Sequence, residues 1–364
     1  MGDAQFASQG MMYTFDALRF YEGFLRSIRD EQLKGCSRSP VLSHKEPCTA
    51  QAPTRKGLAL NGSVPDATPF SNQDGPKFPG SAVWQSAYVT ISRQLWRHYG
   101  RLALPVLRKH YTGLQEFVRF LRASADNRTG LVLTGGMGEW APPNSQSVNK
   151  NRTTPAARPA ANPFSPCSVR RALLPPHANP GSLCRCGKSN SEQAVGHGRR
   201  KGGLESVPNR LSQAAASAFY GLLNLKHMST IAEALGQTAD AAAYHAEFMH
   251  GRTAYHAEFA VQKDAGAPEW CFYTGCTQTA HLMPLAIDAV PAKMRPDVER
   301  GLVTLIRDGD PSYRAVPNVS GPIPPGHLAV GTIGASLIFD SLTAMGADDV
   351  ALSLLLTDSF PSCE

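Results

Sequence analysis

The sequence has no run of eighteen or more apolar residues, the length a bilayer-spanning helix needs. Met1 is followed by Asp3 and Gln5, not by a basic segment and then an apolar one, so no secretory leader pattern is visible. No membrane partner is expected, and the compartment stays open. Cysteine has no regular spacing. Of the eight, Cys36, Cys48, Cys167, Cys184 and Cys186 fall in compositionally biased stretches, leaving Cys271, Cys276 and Cys363 in ordered-looking sequence. This is no disulfide framework. Strict apolar–polar alternation, the mark of a half-buried strand, is missing throughout.

Acidic residues are almost absent from 144–206, where only Glu192 and Glu205 stand against ten Lys/Arg. The local excess of eight exceeds the whole-chain net charge of +7, so the basicity belongs to one tract and not to a folded face. Phe164 is the tract's only aromatic and no nucleic-acid-binding motif is present, so a nucleic-acid partner is not expected. Cys184 and Cys186 with His197 lack finger spacing and a fourth ligand. No zinc site and no cofactor are implied. Sequons at Asn61, Asn127, Asn151 and Asn318 matter only in a secreted protein.

What remains is globular. The 364 residues are 42% apolar and 18% charged, enough to bury a sizeable core. Two stretches, 33–60 and 144–206, are rich in Pro, Ser, Asn, Arg and Gly and lack apolar periodicity, so both read as disordered insertions within one domain spanning 1–364. Closing a loop of about 60 residues in place of about 5 costs only roughly 2 kcal/mol. Elsewhere apolar residues recur at three and four. Over 3–32 they include Phe6, Tyr13, Leu18, Tyr21, Leu25 and Ile28. The same period predicts helices over 81–99, 102–121, 211–235, 239–261, 277–289, 296–306, 327–345 and 348–356, with Gly100, Gly236 and Gly346 as terminators. An all-α fold follows. The hexapeptide Ala243-Tyr-His-Ala-Glu-Phe248 recurs at Ala254-Tyr-His-Ala-Glu-Phe259, close to three helical turns later. Its His245, Glu247, His256 and Glu258 are better explained as the wet side of one helix than as metal ligands.

Several short motifs occur in a fixed order. Met-Gly-Asp3-Ala-Gln5 opens the chain, and Gly62-Ser-Val-Pro-Asp66 follows. Trp84-Gln-Ser-Ala87 leads to Leu95-Trp96-Arg-His-Tyr99-Gly100, then to Gly138-Glu139-Trp140. Later come Thr277-Gln-Thr-Ala280, His327-Leu-Ala-Val-Gly331-Thr-Ile-Gly334, Leu342-Thr-Ala-Met-Gly346 and Phe360-Pro-Ser362. Together these resemble the bacterial-type α-L-rhamnosidases, glycoside hydrolase family 78, over nearly all the chain outside the two insertions. The resemblance implies an (α/α)6 barrel, incomplete here, and hydrolysis of terminal α-L-rhamnosides with inversion.

Inversion needs a general acid and a general base roughly 6.5–9.5 Å apart. By the resemblance the acid belongs upstream of the Gly2-Asp3-Ala4-Gln5 match and the base beyond Phe360-Pro-Ser362. Both are expected to be missing from this chain, Glu364 standing at the wrong motif position. Carried over residue by residue, Asp3, Asp66, Glu139 and Trp140 would form the rhamnose-binding shell, with Trp84 and Trp96 as aromatic walls. Plainer roles compete. Asp3 suits a helix start, Asp66 after Pro65 suits a turn, and tryptophans at helical spacing usually pack in a core. Glu139-Trp140, beside Pro142-Pro143, is the strongest site candidate. The alternative function is a catalytically inactive carbohydrate-binding fragment on the same fold.

Overall fold

In a computed structural model of the chain, residues 1–32, 62–68, 81–133, 213–261, 268–309 and 323–359 are described. They form α1 (Gly2–Thr14), α2 (Leu18–Glu31), α3 (Ala82–Gln85), α4 (Ala87–Tyr99), a 3₁₀ turn (Gly100–Ala103), α5 (Leu104–Ala123), α6 (Gln213–Ala234) and α7 (Thr238–Phe259). Beyond these lie α8 (Gln278–Ala286), α9 (Arg295–Arg307), α10 (Thr332–Ala335), α11 (Ile338–Ala344) and α12 (Asp348–Leu356). Among the described residues there is no β-strand; one isolated bridge pairs Ala260 with Tyr273. Met1–Gln146 with Val207–Glu364 forms one compact unit; a second, Ser147–Ser206, lies outside the described residues, as does the proposed insertion at 33–60.

The apolar spacing sets which helix faces are buried. Tyr21, Leu25 and Ile28 form the inward stripe of α2, and Leu107, Leu114, Phe117, Val118 and Leu121 that of α5. Proline sits near the first turn of α5 and of α9, where no amide partner is lost. At the end of α6, the Gln237 amide donates to Ala232 O and the Gly236 amide to Glu233 O; at the end of α11 the same pair forms, with φ +75° at both Gly236 and Gly346. This pair of hydrogen bonds requires a residue in the left-handed region, and glycine takes it without a Cβ clash.

Along the chain the described helices fall into five successive pairs, each joined by a turn: α1/α2, α4/α5, α6/α7, α8/α9 and α11/α12; in the last four pairs the two helices pack against each other, while α1 and α2 each pack on α4. The first helix of each pair packs on the first helix of the next, making an inner layer, and the second helices pack outside it. The result is an all-α toroidal arrangement, as the apolar period predicts. Within a hairpin the turn is short: residues 15–17, 100–103, 235–237, 287–294 and 345–347. Between hairpins the connections are long: 32–81, 124–212, 260–277 and 308–331. The described helix ends from which these connections leave and return therefore lie at one end, that of the N-termini of the inner helices.

Two expected helices are broken. The run over 3–32 turns at 15–17, with Phe15 extended, because the Tyr99 hydroxyl at the end of α4 accepts the Ala17 amide at 2.7 Å. The run over 327–345 is helical only from Thr332 and pauses again at 336–337. There the Ala329 amide donates to the Gln278 side chain at 3.0 Å and is lost to any helix. The duplicated hexapeptide does present one face twice: Tyr244, Phe248, Tyr255 and Phe259 are all buried. His245 and Glu247 are exposed as expected. His256 is only half-buried, its Nδ1 2.9 Å from the Tyr273 hydroxyl. Cys271 and Cys276 form one disulfide, a local staple that their irregular spacing does not advertise.

Candidate functional site at the loop-rich end of the helices

The start of α1 rests on α3. Gly2 is buried against Trp84 so closely that a Cβ there would stand 2.5 Å from Trp84 Cε2. Asp3, the next residue, is exposed in the first helical turn. Asp66 is half-buried in the 62–68 segment, where its Oδ1 accepts the Ser81 amide at 2.6 Å just ahead of α3. The Met1 nitrogen donates to the Asp66 carbonyl, and both Asp3 and Asp66 act electrostatically on that nitrogen. Three sequence-picked residues, Asp3, Asp66 and Trp84, are thus brought together around the start of α1.

Trp84 is only 7% exposed and its ring meets Phe6 edge-on at 6.2 Å, so it backs this end of the toroid from beneath α1. Trp96 is not with them. It lies near the far end of α4, half-buried against the apolar cluster of α2, α4 and α5. Glu139 and Trp140 lie outside the described residues, as do Cys184, Cys186 and His197. Among the described residues no group of three or more His, Cys, Asp and Glu is placed to hold a metal ion.

Sequence reasoning missed the residues that hold this end together. Three buried glutamines, Gln5 in the first turn of α1, Gln85 at the end of α3 just ahead of α4, and Gln278 at the start of α8, each clamp a neighbouring backbone. Gln5 donates to Val83 O at 2.7 Å, tying α1 to α3. Gln85 donates to Val64 O at 2.5 Å and Ser63 Oγ at 3.0 Å, tying α3 to the segment that carries Asp66. Gln278 donates to His327 O at 3.2 Å and accepts from Ala329 N at 3.0 Å, tying α8 to 327–329. Gln85 and Gln278 are fully buried and Gln5 is 4% exposed. The signal was there: each glutamine stands inside a motif, Gly2-Asp-Ala-Gln5, Trp84-Gln85 or Thr277-Gln278-Thr, where an uncharged amide is an odd choice for a helix face unless it is bonded.

The neighbouring 268–277 segment is fastened in the same manner. His281, fully buried on α8, has ring nitrogens within hydrogen-bond distance of Thr277 O, Trp270 O and Phe272 N. Burial holds the His256 imidazole below its ordinary pKa and pushes the Tyr273 phenol up, so the pair is neutral at physiological pH. A cavity of about 860 Å³ is lined by residues of α1, α4, α6, α8 and α11, among them Gln5, Phe6 and Phe219 from early turns, together with Asp288, Arg295 and Glu299. None of Asp3, Asp66, Trp84 or Trp96 lines it.

Two concentric layers of antiparallel helical hairpins, with acidic and aromatic residues gathered where the inner helices begin, define a hairpin-toroid glycosidase fold. The sequence profile described as the bacterial alpha-L-rhamnosidase six-hairpin glycosidase domain matches residues 1–160 and 206–363, and the chain belongs to that family. Among solved structures it resembles an α-L-rhamnosidase of Dictyoglumus thermophilum (22% identity, TM-score 0.62, covering 100% of this chain and 28% of that one). It also resembles one of Streptomyces avermitilis complexed with L-rhamnose (20%, 0.62, covering 99% and 23%) and one of Aspergillus terreus (17%, 0.62, covering 100% and 30%). The chain thus spans under a third of the length of these solved chains. Among curated protein sequences nothing matches.

Proposed function

We propose that this chain is the helical body of an α-L-rhamnosidase that removes terminal α-L-rhamnose from a glycoside or oligosaccharide by inversion. In this reading the sugar sits where the long connections converge. Asp3, Asp66 and Glu139 accept hydrogen bonds from its hydroxyls, Trp140 offers its ring face and donates its indole N–H, and Trp84 stiffens the floor. Trp96, as placed, acts through packing. The proton-donating and water-activating carboxyls, which an inverting site holds roughly 6.5–9.5 Å apart, are not supplied by residues 1–364. The observation that carries the reading is the grouping of Asp3, Asp66 and Trp84 at one end of a family-matched helical toroid.

The second reading, a catalytically inactive carbohydrate-binding body, follows from the same grouping without the two proton-handling groups. Calorimetry with L-rhamnose on the 364-residue chain is expected to show binding that Asp3→Asn and Asp66→Asn weaken. Hydrolysis of an aryl α-L-rhamnoside is expected to be negligible, since a missing positioned acid or base costs about 10²–10⁴ in rate. Absence of any rhamnose binding would sink both readings, and brisk turnover by this chain would sink the assignment of the acid and base.

A further inference from the structure

The wall where α4 meets α6 is positively charged and incompletely bonded. Thr90, Arg93, Gln94 and Arg97 stand three or four residues apart and so share one face of α4, and Tyr220, Leu223 and His227 do the same on α6, which packs against it. Among the described residues Thr90 Oγ1, Arg93 Nη1, Gln94 Oε1 and His227 Nδ1 are all enclosed without a hydrogen-bond partner. Buried polar atoms in folded proteins are nearly always satisfied. Four such atoms at one helix contact mark a wall whose polar groups the protein does not itself complete. All of them except Arg93 belong to residues that line the cavity of about 860 Å³.

Charge on this wall is unmatched as well. Arg295 pairs with Asp288 at 2.8 Å and with Glu299 at 3.3 Å, while Lys226 reaches Asp288 at 3.7 Å and donates to Ala286 O at 3.2 Å. Those two cations and two carboxylates cancel. No ion pair among the described residues involves Arg93 or Arg97. Asp340, exposed on α11, is the remaining carboxylate of the lining, so two cations less one carboxylate leave a surplus of one positive charge. Burial, then the Arg93 and Lys226 charges, lowers the His227 pKa to about 3. Arg93 therefore lies close behind the wall, and the His227 ring is neutral at physiological pH with one N–H to donate.

We propose that the cavity binds an aromatic monocarboxylate, its carboxylate held by the Arg97 guanidinium with Lys226 and the His227 ring beside it, and its ring body set against Phe6, Tyr13 and Phe339. The single positive surplus matches one negative charge. A guanidinium donates two parallel N–H bonds to a carboxylate, and Arg97 is exposed with no competing partner among the described residues. Phe6 and Phe339 are half-buried and Tyr13 is exposed, so ring surface in the lining is open to stack on a flat body. The volume falls within the roughly 300–1,000 Å³ of small-molecule sites, which combine apolar walls with a few convergent polar groups. None of Asp3, Asp66 or Trp84 lines this cavity, so the site is separate from the sugar-binding end and does not rest on the rhamnosidase reading.

The probe is 2-naphthoate, titrated into the 364-residue protein and followed by its fluorescence and by calorimetry. Saturable binding of one molecule per chain is expected. 2-Naphthamide, the same body without the charge, and acetate, the charge without the body, are each expected to bind roughly tenfold more weakly or worse. Arg97→Gln weakens naphthoate roughly tenfold, the scale of a lost charge-assisted contact, and leaves the amide unchanged. Arg101→Gln, on the 3₁₀ turn and outside the lining, leaves naphthoate binding as it was. Both arginines are exposed, so the variants fold. No saturable binding, equal affinity for naphthoate and its amide, or equal effects of Arg97→Gln and Arg101→Gln overturns the proposal. Rhamnose calorimetry on the same samples reads the sugar site separately.

Discussion

Replacing Gln278 by Leu tests whether the buried glutamines are what fix the loop-rich end. The substitution keeps the volume roughly constant and removes both polar atoms. Two backbone groups then lose their partners: the His327 carbonyl and the Ala329 amide, the latter on a residue that is 0% exposed. Leaving one buried polar group unsatisfied costs about 1–3 kcal/mol, so two cost about 2–6 kcal/mol. The added apolar burial of leucine returns about 1–2 kcal/mol. The net expectation is a loss of about 1–4 kcal/mol, read by urea unfolding as a lower midpoint with an unchanged slope. Hydrogen exchange is expected to locate the loosening in 323–331 and at the start of α8 and to leave α2 and α5 protected. A Gln278→Leu protein within about 0.5 kcal/mol of the parent, or one loosened uniformly, would refute the idea that this amide specifically pins the segment.

Part of the acid side of the stability profile should come from His110, which is buried with Nδ1 3.1 Å from the Tyr88 hydroxyl; His227, whose pKa burial lowers to about 3, adds a second contribution of the same sign. Burial first, then the Lys109 and Arg29 charges, lowers the His110 pKa to about 4. The unfolded chain thus takes up a proton near pH 6.5 that the folded one refuses, and stability falls as pH drops from about 6.5 to about 4, by up to roughly 3 kcal/mol. His110→Gln is expected to reduce that slope while the contribution of His227 remains, and an unchanged slope in equilibrium unfolding from pH 4 to 7 contradicts the assignment. Reducing the Cys271–Cys276 bridge opens a six-residue loop and should lower stability by about 2 kcal/mol at most, with exchange rising locally in 268–277; global unfolding on reduction would contradict this. Gly236→Ala meets no steric obstacle but forces φ +75° on a residue with a Cβ, and about 1–2 kcal/mol of thermal stability should be lost; no change would mean the turn relaxes.

How much of this was legible depended on whether the cause was local. The stripe of α2 and the extent of α12 are period effects, and the bounds of α12 match the expected 348–356. The breaks at 15–17 and 327–331 were not legible, because Tyr99 and Gln278, which take the relevant amides, come from distant parts of the chain. Asp3, Asp66 and Trp84 were singled out by motif, and the structure brings those three together. The same motifs kept Trp96 in view although it lies near the other end of α4, since spacing along a helix does not reveal which end a side chain serves. The glutamines escaped notice because an amide carries no obvious chemistry until its backbone partners are known.

Because short turns and long connections alternate strictly along the chain, the molecule separates its framework from its rim. Both compositionally biased stretches, 33–60 and 144–206, fall in connections that run from an outer helix to the next inner one. Length can be added or exchanged at that rim without repacking a single helix pair. What such a toroid recognises is therefore free to diverge faster than the scaffold that presents it, and the connections are natural cassettes for engineering.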